Sequence, residues 1–231
     1  MPGDKLLSVS ESSLQRAQRY EQSDPDVRLM LKVRDGSAAA FEELVMRYQG
    51  RLITVLEHLV HRREQAEDLA QDVFLRVYRA RKSYVPGAKF STWLFTIANN
   101  VASNARRSSA RRREVSVTSD PKDDTPNSLD GMAKAASGLM PSRQLDNSEM
   151  SEVVRAAIDS LSERQRMALL LSKFEGMSYF EIAETMGLSV QAVKSLLSRA
   201  RTNLRELLEP YVVSGQRPSA SAARSQDEDS L

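Results

Sequence analysis

The chain has 231 residues, of which 41% are hydrophobic and 28% charged, with a formal net charge of +2, which fits a globular protein of one large or two small domains. The absence of cysteine excludes disulfides, thiolate metal sites and a cysteine nucleophile. No apolar run approaches the ~20 residues that cross a bilayer and the polar N-terminus is no secretory signal, so we expect a cytoplasmic protein without membrane insertion.

The first 24 residues are polar and end at Ser23-Asp24-Pro25-Asp26. We predict a disordered extension over 1–24. A helix is expected to start at Pro25, because proline suits the first turn of a helix. From there to Arg113 the sequence is patterned as helices with few interruptions.

Apolar residues between 25 and 113 recur at steps of three and four, the spacing of helices that bury one face. The first stretch follows Ser37, which can act as its N-cap. A Pro86-Gly87 pair marks a loop between the second and the third. The three stripes are Phe41, Leu44, Val45, Tyr48, Leu52, Val55 and Leu59; Ala66, Leu69, Ala70, Val73, Phe74, Val77 and Tyr78; and Trp93, Leu94, Ile97, Ala98 and Val101.

Two of these helices carry polar surfaces of interest. The second has acids and amides opposite its stripe, including Asp68 and Asp72, and such a face can meet a basic partner helix. An ordinary solvated acidic face is the alternative. The third runs into the basic segment 106–113, which either attracts phosphates or is a solvated helix end.

The second half of the chain starts with a loss of periodicity over 114–148, which is rich in Ser, Asp, Pro and Gly and predicts a flexible linker. Helical patterning returns over 149–211, and the Ser- and charge-rich tail 212–231 is predicted to be disordered. The chain is therefore predicted to be all-α, with two small helical domains, 25–113 and 149–211, on a flexible tether.

The segment 178–197 has the chemistry of a helix-turn-helix. Ser178 and Glu181 form a capping box, Ala183 is small where two helices cross, and Gly187 lies in the turn, where a positive φ is costly for other residues. The predicted interior is Ile182, Met186, Leu188, Val193 and Leu196. Upstream, a helix capped by Ser162 and Gln165 is expected to pack behind the motif through Met167, Leu170, Leu171 and Phe174.

The second helix of the motif is capped by Ser189 and carries polar and basic residues on its outer side. Such residues near the N-terminal end of a helix suit entry into the major groove of DNA. Arg201 and Arg205, further along, suit phosphates. The alternative is a helical hairpin whose exposed face happens to be basic.

Taken together, these segments resemble sigma factors of the extracytoplasmic-function group of the sigma-70 family. The segments 161–166, 174–179 and 192–201 resemble region 4, 66–75 resembles region 2.2, and 89–100 resembles regions 2.3 and 2.4. The paired tryptophans with which housekeeping sigma factors open the duplex are replaced around Thr96 and Ile97, and the domain between regions 2 and 4 is absent, as in this group.

The resemblance implies a non-enzymatic factor without a cofactor. It implies binding to core RNA polymerase (β′ clamp helices and β flap) and to promoter DNA, with an anti-sigma factor as a further partner. The polymerase-binding residues it implies are Glu67, Asp68, Gln71, Asp72 and Leu75.

The same resemblance assigns two sets of DNA-binding residues. For the −10 element they are Lys89, Asn99, Asn100, Ser103, Asn104, Arg106 and Arg107, with the loop 83–89 holding an unstacked base. For the −35 element they are Gln191, Lys194, Ser195, Ser198, Arg199 and Arg201. Trp93 is expected in the core rather than as a platform for a base.

Two other classes of function fit parts of the sequence. A stand-alone helix-turn-helix regulator would need an N-terminal dimerisation or ligand-sensing domain and would bind its operator without polymerase. An enzyme or metal protein could use His58 and His61, three residues apart on a predicted helix, although no third ligand stands out and a solvated pair is the simpler interpretation.

Overall fold

The computed structural model describes the backbone of residues 4–117 and 141–214 and the side chains of 14–108, 111 and 150–211. Within these residues every regular element is a helix, so the all-α prediction is confirmed. The helices are α1 (Asp4–Ser23), α2 (Pro25–Arg34), α3 (Ala38–Val60), α4 (Arg63–Ala80), α5 (Phe90–Val117), α6 (Pro141–Asp159), α7 (Glu163–Lys173), α8 (Tyr179–Met186) and α9 (Val190–Ser214), with a 3-10 turn at Arg81–Ser83. None of the described helices is both long and apolar enough to cross a bilayer.

The helix starts of the first half follow from local chemistry. Pro25 occupies the first turn of α2, and Asp24 accepts a hydrogen bond from the Asp26 amide at 2.9 Å. Ser37 caps α3 by accepting from the Ala40 amide at 3.2 Å. Both predicted starts are confirmed, because each depends on residues adjacent in sequence.

The core of the first half is built from the predicted stripes. Leu44, Leu52 and Val55 of α3 are fully buried against α4, and Val73 and Val77 of α4 are buried in turn. The α5 stripe is also buried at Leu94, Ala98 and Val101. Because helix periodicity places these residues on one face, burying that face fixes how the helices pack.

The N-terminal extension differs from the prediction, because α1 is helical from Asp4 to Ser23 where disorder was expected over 1–24. Tyr20 packs against the core, and the Arg28 guanidinium donates to the carbonyls of Glu21 and Gln22 at 3.1 and 3.0 Å. These carbonyls lack partners within the helix itself. Arg28 of α2 thus supplies a cap that the pattern of residues 1–24 does not contain.

The predicted linker is shorter than 114–148. No glycine or proline lies between Arg113 and Val117, so α5 continues to Val117, and Pro141 starts α6. Residues 118–140 of that linker and 215–231 of the predicted tail lie outside the described residues, and α9 continues to Ser214.

The described residues of 1–105 and 162–200 form one compact unit, and those of 106–161 and 201–231 form a second. In the first unit α7 packs on α3, and Met167, Leu170 and Leu171 belong to one buried cluster with the apolar residues of α2–α5. The second unit buries Val153 and Ile158. The sequence predicted α7 as a helix but not its packing on α3.

Candidate nucleic-acid interface

The helix-turn-helix has the predicted geometry. The Ser178 amide donates to Glu181 Oε2 at 2.7 Å while the Glu181 amide donates to Ser178 Oγ at 3.3 Å, which is a complete capping box. Gly187 has a φ of 64°, and the next amide, of Leu188, donates to the Ala183 carbonyl at 2.9 Å. Ser189 Oγ accepts from the Ala192 amide at 3.1 Å and so caps α9.

The interior of the motif is close to the prediction. Ile182, Ala183 and Val193 are buried, and Met186, Leu188 and Leu196 are partly buried. Leu197, which was not predicted, is buried as well. Phe174 was expected behind the motif but is 51% exposed, because it is the C-cap of α7, beyond the last turn that packs inward.

Gly187 offers a direct test of the turn. We expect Gly187→Ala to lower the free energy of unfolding by about 1 kcal/mol, because a left-handed φ strains a residue that has a Cβ. Gly50→Ala is the matched control: Gly50 lies inside α3, no atom lies within 4 Å of an added Cβ at either glycine, and alanine is expected to stabilise this helix by about 0.5–1 kcal/mol. Urea unfolding of both variants measures the difference, and equal shifts of the same sign would contradict the assignment.

The residues predicted for the −35 element all lie on α9 and are all exposed. Gln191, Lys194, Ser195 and Ser198 follow at steps of three and four and therefore share a face, opposite the buried Val193. Arg199 and Arg201 are exposed at the border of this face. The arrangement can present hydrogen-bond donors and positive charge to a groove, while the role of each residue stays a prediction.

The residues predicted to bind polymerase lie on α4. Glu67 is paired with Arg63 at 3.0 Å and Asp72 with Arg76 at 2.9 Å, both within the helix, and Leu75 is 53% exposed. Asp68 and Gln71 are exposed on the same side. We name this surface, residues 67, 68, 71, 72 and 75, the α4 face.

One residue beside the α4 face corrects the sequence prediction. Tyr78 was counted in the buried stripe but is 42% exposed, with the Arg81 guanidinium 3.9 Å from its ring centroid. Tyr78 follows both the buried Phe74 and the exposed Leu75 by one helical turn, so it lies at the boundary of the two sides. It adds aromatic surface to the α4 face, and aromatic residues are enriched at protein interfaces.

The residues predicted for the −10 element lie on α5 and just before it. Asn100, Asn104 and Arg107 are exposed, while Asn99, Ser103 and Arg106 are partly buried, and the opposite side is packed through Phe95, Ala98 and Ala102. Asn100, Ser103, Asn104 and Arg107 recur at helical steps and share one side. Lys89 is not available for phosphate in this conformation, because its Nζ is paired with Glu181 Oε1 at 2.8 Å.

A cavity of about 270 Å³ opens next to Lys89, between the loop before α5 and the start of that helix. The Tyr84 hydroxyl and Thr92 Oγ1 are buried and have no hydrogen-bond partner among the described residues. Burial raises the pKa of Tyr84, which keeps its hydroxyl protonated. The lining residues are Tyr84, Val85, Gly87, Ala88, Thr92, Trp93, Thr96 and Glu184.

The expectation that Trp93 is core is confirmed only in part. Its ring packs 4.8 Å from Tyr84 and 6.0 Å from Phe90, between ring centroids, but the residue is only partly buried and also lines the cavity. The sequence predicted that the loop 83–89 holds a base, but it singled out neither Tyr84 nor Thr92 as a site residue. The nearest signal was Tyr84-Val85-Pro86-Gly87, in which an aromatic residue begins a turn. Buried polar atoms without partners indicate a place where a ligand can supply them.

The two histidines have structural contacts. His61 ends α3 with a φ of 59° rather than lying within the helix, and Arg166 contacts its Nε2 at 2.7 Å. Arg166 also donates to the carbonyl of His58 at 2.9 Å. Across the part of the chain that the structure describes, no three His, Cys, Asp or Glu side chains gather as a metal site would require.

Comparison with known proteins finds two family matches on the chain. Residues 44–112 match sigma-70 region 2, and residues 151–204 match sigma-70 region 4. The chain is 33% identical to the RNA polymerase sigma-H factor of Pseudomonas aeruginosa over 82% of this chain and 96% of that protein. It is 32% identical to the ECF RNA polymerase sigma-E factor of Escherichia coli K12 over 81% of this chain and 96% of that protein.

Solved structures show the same architecture. The sigma factor RpoE of Bartonella quintana, in complex with the anti-sigma factor NepR, is similar with a TM-score of 0.58 and 26% identity, over 73% of this chain and 96% of that one. CnrH, in complex with the cytosolic domain of CnrY, is similar in fold with a TM-score of 0.57 and 24% identity, over 80% of this chain and 98% of that one.

Proposed function

Because the chain belongs to the extracytoplasmic-function group of the sigma-70 family, we propose that it binds core RNA polymerase and directs transcription initiation from specific promoters. The observation that carries the proposal is that one chain contains both region 2 and region 4, the latter with exposed basic residues on α9. Members of this family are initiation factors and not enzymes.

For polymerase, we propose that the α4 face binds the β′ clamp helices. Its exposed Leu75, next to Tyr78, offers apolar and aromatic contact area, and the carboxylates of Asp68 and Asp72 can meet a basic helix. Region 4 would contact the β flap, and the exposed apolar side chains of Phe180 and Val190 are available on that module.

For the −10 element, we propose that the exposed side of α5 follows the non-template strand and that the cavity holds one unstacked base. A base extruded from the stack needs an aromatic neighbour and hydrogen-bond partners for its edge. Trp93 and the unpartnered hydroxyls of Tyr84 and Thr92 provide both.

Thr92→Val tests the cavity. Removing a buried hydroxyl without a partner is expected to raise the free energy of unfolding by about 1 kcal/mol, yet to weaken binding of the −10 strand about fivefold, because the base edge loses a partner. Fluorescence anisotropy of a labelled −10 oligonucleotide with the holoenzyme measures the second effect. Thr54→Val on α3 is the control. The Thr54 hydroxyl donates to the Gly50 carbonyl at 2.9 Å within the same helix, so its removal should leave DNA binding unchanged. Normal binding by Thr92→Val would refute the base-holding role.

For the −35 element, we propose that α9 enters the major groove. Gln191, Lys194, Ser195, Ser198 and Arg199 would face the bases or nearby backbone, and Arg201 the phosphates. The two modules on one chain raise each other's effective concentration on the promoter.

We also propose that an anti-sigma factor regulates the chain in the cytoplasm, where polymerase is found. Support comes from RpoE of Bartonella quintana, which is similar over most of both chains and was crystallised with its anti-sigma factor. A stand-alone regulator is not favoured, because residues 44–112 match region 2 where such a regulator needs a dimerisation or sensing domain.

The experiment that tests the function is in vitro transcription of a genomic promoter library by core polymerase with and without the chain. We expect a small set of promoters to depend on its addition. No enrichment at any promoter, with an active core enzyme, would reject the proposal. A gel shift with and without core polymerase separates a sigma factor from a stand-alone regulator.

A further inference from the structure

We propose that Asp24 is a positioning residue for the cavity that would hold a −10 base. Its single carboxylate caps two helices, α2 and α5, and so holds the first turn of α5 in place beside the loop 83–89. The inference rests on the proposed function for what the cavity binds. The contacts that carry it lie within residues 1–105, which belong to one compact unit.

The carboxylate of Asp24 accepts hydrogen bonds at the start of both helices. One oxygen, Oδ1, accepts from the Asp26 amide at 2.9 Å, which is the local cap of α2. The other oxygen, Oδ2, accepts from the Phe90 amide, also at 2.9 Å. Phe90 is the first residue of α5 and lies 66 positions further along the chain. An aspartate at one helix start is an ordinary cap, but a carboxylate shared by two helix starts also joins the helices.

The start of α5 depends on an acceptor from elsewhere in the chain. The first amides of a helix have no partner within the helix. Lys89, which directly precedes Phe90, has donors on its side chain but no acceptor. Phe90 is fully buried, so water is poorly placed to supply the missing acceptor. Asp24 fills this role, and its negative charge is favourable at the N-terminal end of each helix.

The first turn of α5 forms one wall of the cavity. Thr92 and Trp93 follow Phe90 by two and three residues, and they line the cavity together with Tyr84 of the loop. Burial is the main cause of the raised pKa of Tyr84, and the charge of Asp24 adds to the rise, so the carboxylate also acts on the loop. A shift of this turn would change how the indole ring and the two hydroxyls are placed for a base.

A second acid at the start of α2 supports the same junction. The Tyr48 hydroxyl of α3 donates to Asp26 Oδ2 at 2.6 Å. The Tyr48 ring in turn packs against the ring of Phe90, with 5.2 Å between the centroids. Residues of α2, α3 and α5 therefore meet at the point where Asp24 bonds to α5.

The other end of α2 is attached to the other side of the loop. Lys82 Nζ donates to the carbonyl of Arg34, the last residue of α2, at 2.9 Å. Lys82 precedes the loop 83–89 and Phe90 follows it, so both sides of the loop are bonded to the same helix. A helix is stiffer than an irregular segment. Holding the loop in this way prepares the cavity in advance, and a prepared site loses less affinity to ordering when its ligand binds.

The free chain offers a first test that needs no DNA. Trp93 is the only tryptophan of the chain, so its fluorescence reports on the cavity. Asp24→Ala removes both acceptors, and we expect its emission to shift to longer wavelength and acrylamide to quench it more strongly, because the ring becomes more exposed. Ser37→Ala is the matched control, since Ser37 caps α3 through the Ala40 amide at 3.2 Å. It should lower the urea midpoint as Asp24→Ala does, yet leave Trp93 emission unchanged.

Binding of the −10 strand by the holoenzyme is the second test. Asp24→Ala should weaken binding of a labelled −10 oligonucleotide about fivefold, because a misplaced wall loses contacts and preorganisation. Oligonucleotides made abasic at each position in turn then locate the effect. In the parent, one position should cost the most affinity, because its base enters the cavity. This penalty should shrink in Asp24→Ala and persist in Ser37→Ala. A loss of stability alone would not change it, since the same folded protein binds both strands.

The possible failures can be told apart. Trp93 emission equal to that of Ser37→Ala, or an abasic penalty as large as in the parent, would overturn the positioning role. If Asp24→Ala shows no cooperative urea transition, Asp24→Asn decides by the same criteria. Its one carbonyl oxygen replaces two carboxylate oxygens, so smaller changes in the same direction are expected. A parent without any position-specific penalty would reject the base-holding cavity itself, and Trp93 emission in the free chain would still decide whether Asp24 positions α5.

Discussion

Replacing Asp72 with arginine is expected to abolish co-purification of the chain with core RNA polymerase. Asp72 lies on the α4 face next to the exposed Leu75, and it is paired with Arg76 one turn later. The substitution replaces the carboxylate with a guanidinium, so that two cations, at positions 72 and 76, face a basic partner helix. Charge pairs at an interface couple by ~1.5–7 kcal/mol, so a loss of about 3 kcal/mol would weaken binding about a hundredfold.

The control for Asp72→Arg is the double variant Asp72→Arg with Arg76→Asp, which restores an ion pair within α4 but moves the carboxylate by one turn. Repulsion between like charges within a helix costs only ~0.2–0.5 kcal/mol, so both variants should stay folded by circular dichroism. We expect neither to bind core polymerase, because the interface needs the acid at position 72. Normal co-purification of Asp72→Arg would reject the α4 face as the clamp site.

The second large effect is expected on promoter recognition. Lys194→Ala and Arg199→Ala should each reduce transcription from a −35-dependent promoter, by about fivefold to more than a hundredfold, while core polymerase still binds. Each side chain is exposed on α9, and a specific contact to a base is worth ~1–3 kcal/mol. Titration of holoenzyme on the promoter in a transcription assay measures the loss.

Two controls distinguish base recognition from a change in charge. Lys173→Ala removes one positive charge from an exposed position in the last turn of α7, outside the recognition helix, and should transcribe normally. On a promoter with a scrambled −35 element, the parent and the variants should produce equal amounts of transcript. If Lys194→Ala and Arg199→Ala both transcribe as the parent does, α9 is not the recognition helix.

Much of this fold is predictable because its determinants are local. The capping residues Ser37, Ser178 and Ser189 act within one turn, and a stripe such as Leu44-Tyr48-Leu52 needs only the helical period to be recognised. The same period predicts that Lys194, Ser195 and Ser198 share a face. Neighbouring residues did not predict helix α1, because the side chain that caps its C-terminal end, Arg28, belongs to the next helix.

Most helices, the helix-turn-helix and the resemblance to region 2 and region 4 can be read from the sequence, because periodicity, capping and motif spacing depend on neighbouring residues. Three features are visible only in the folded chain: Tyr78 is exposed, Tyr84 and Thr92 share a cavity, and Lys89 is paired with Glu181. The last of these joins residues 92 positions apart in the chain. They depend on how apolar faces pack against one another, and no local pattern states which faces will meet.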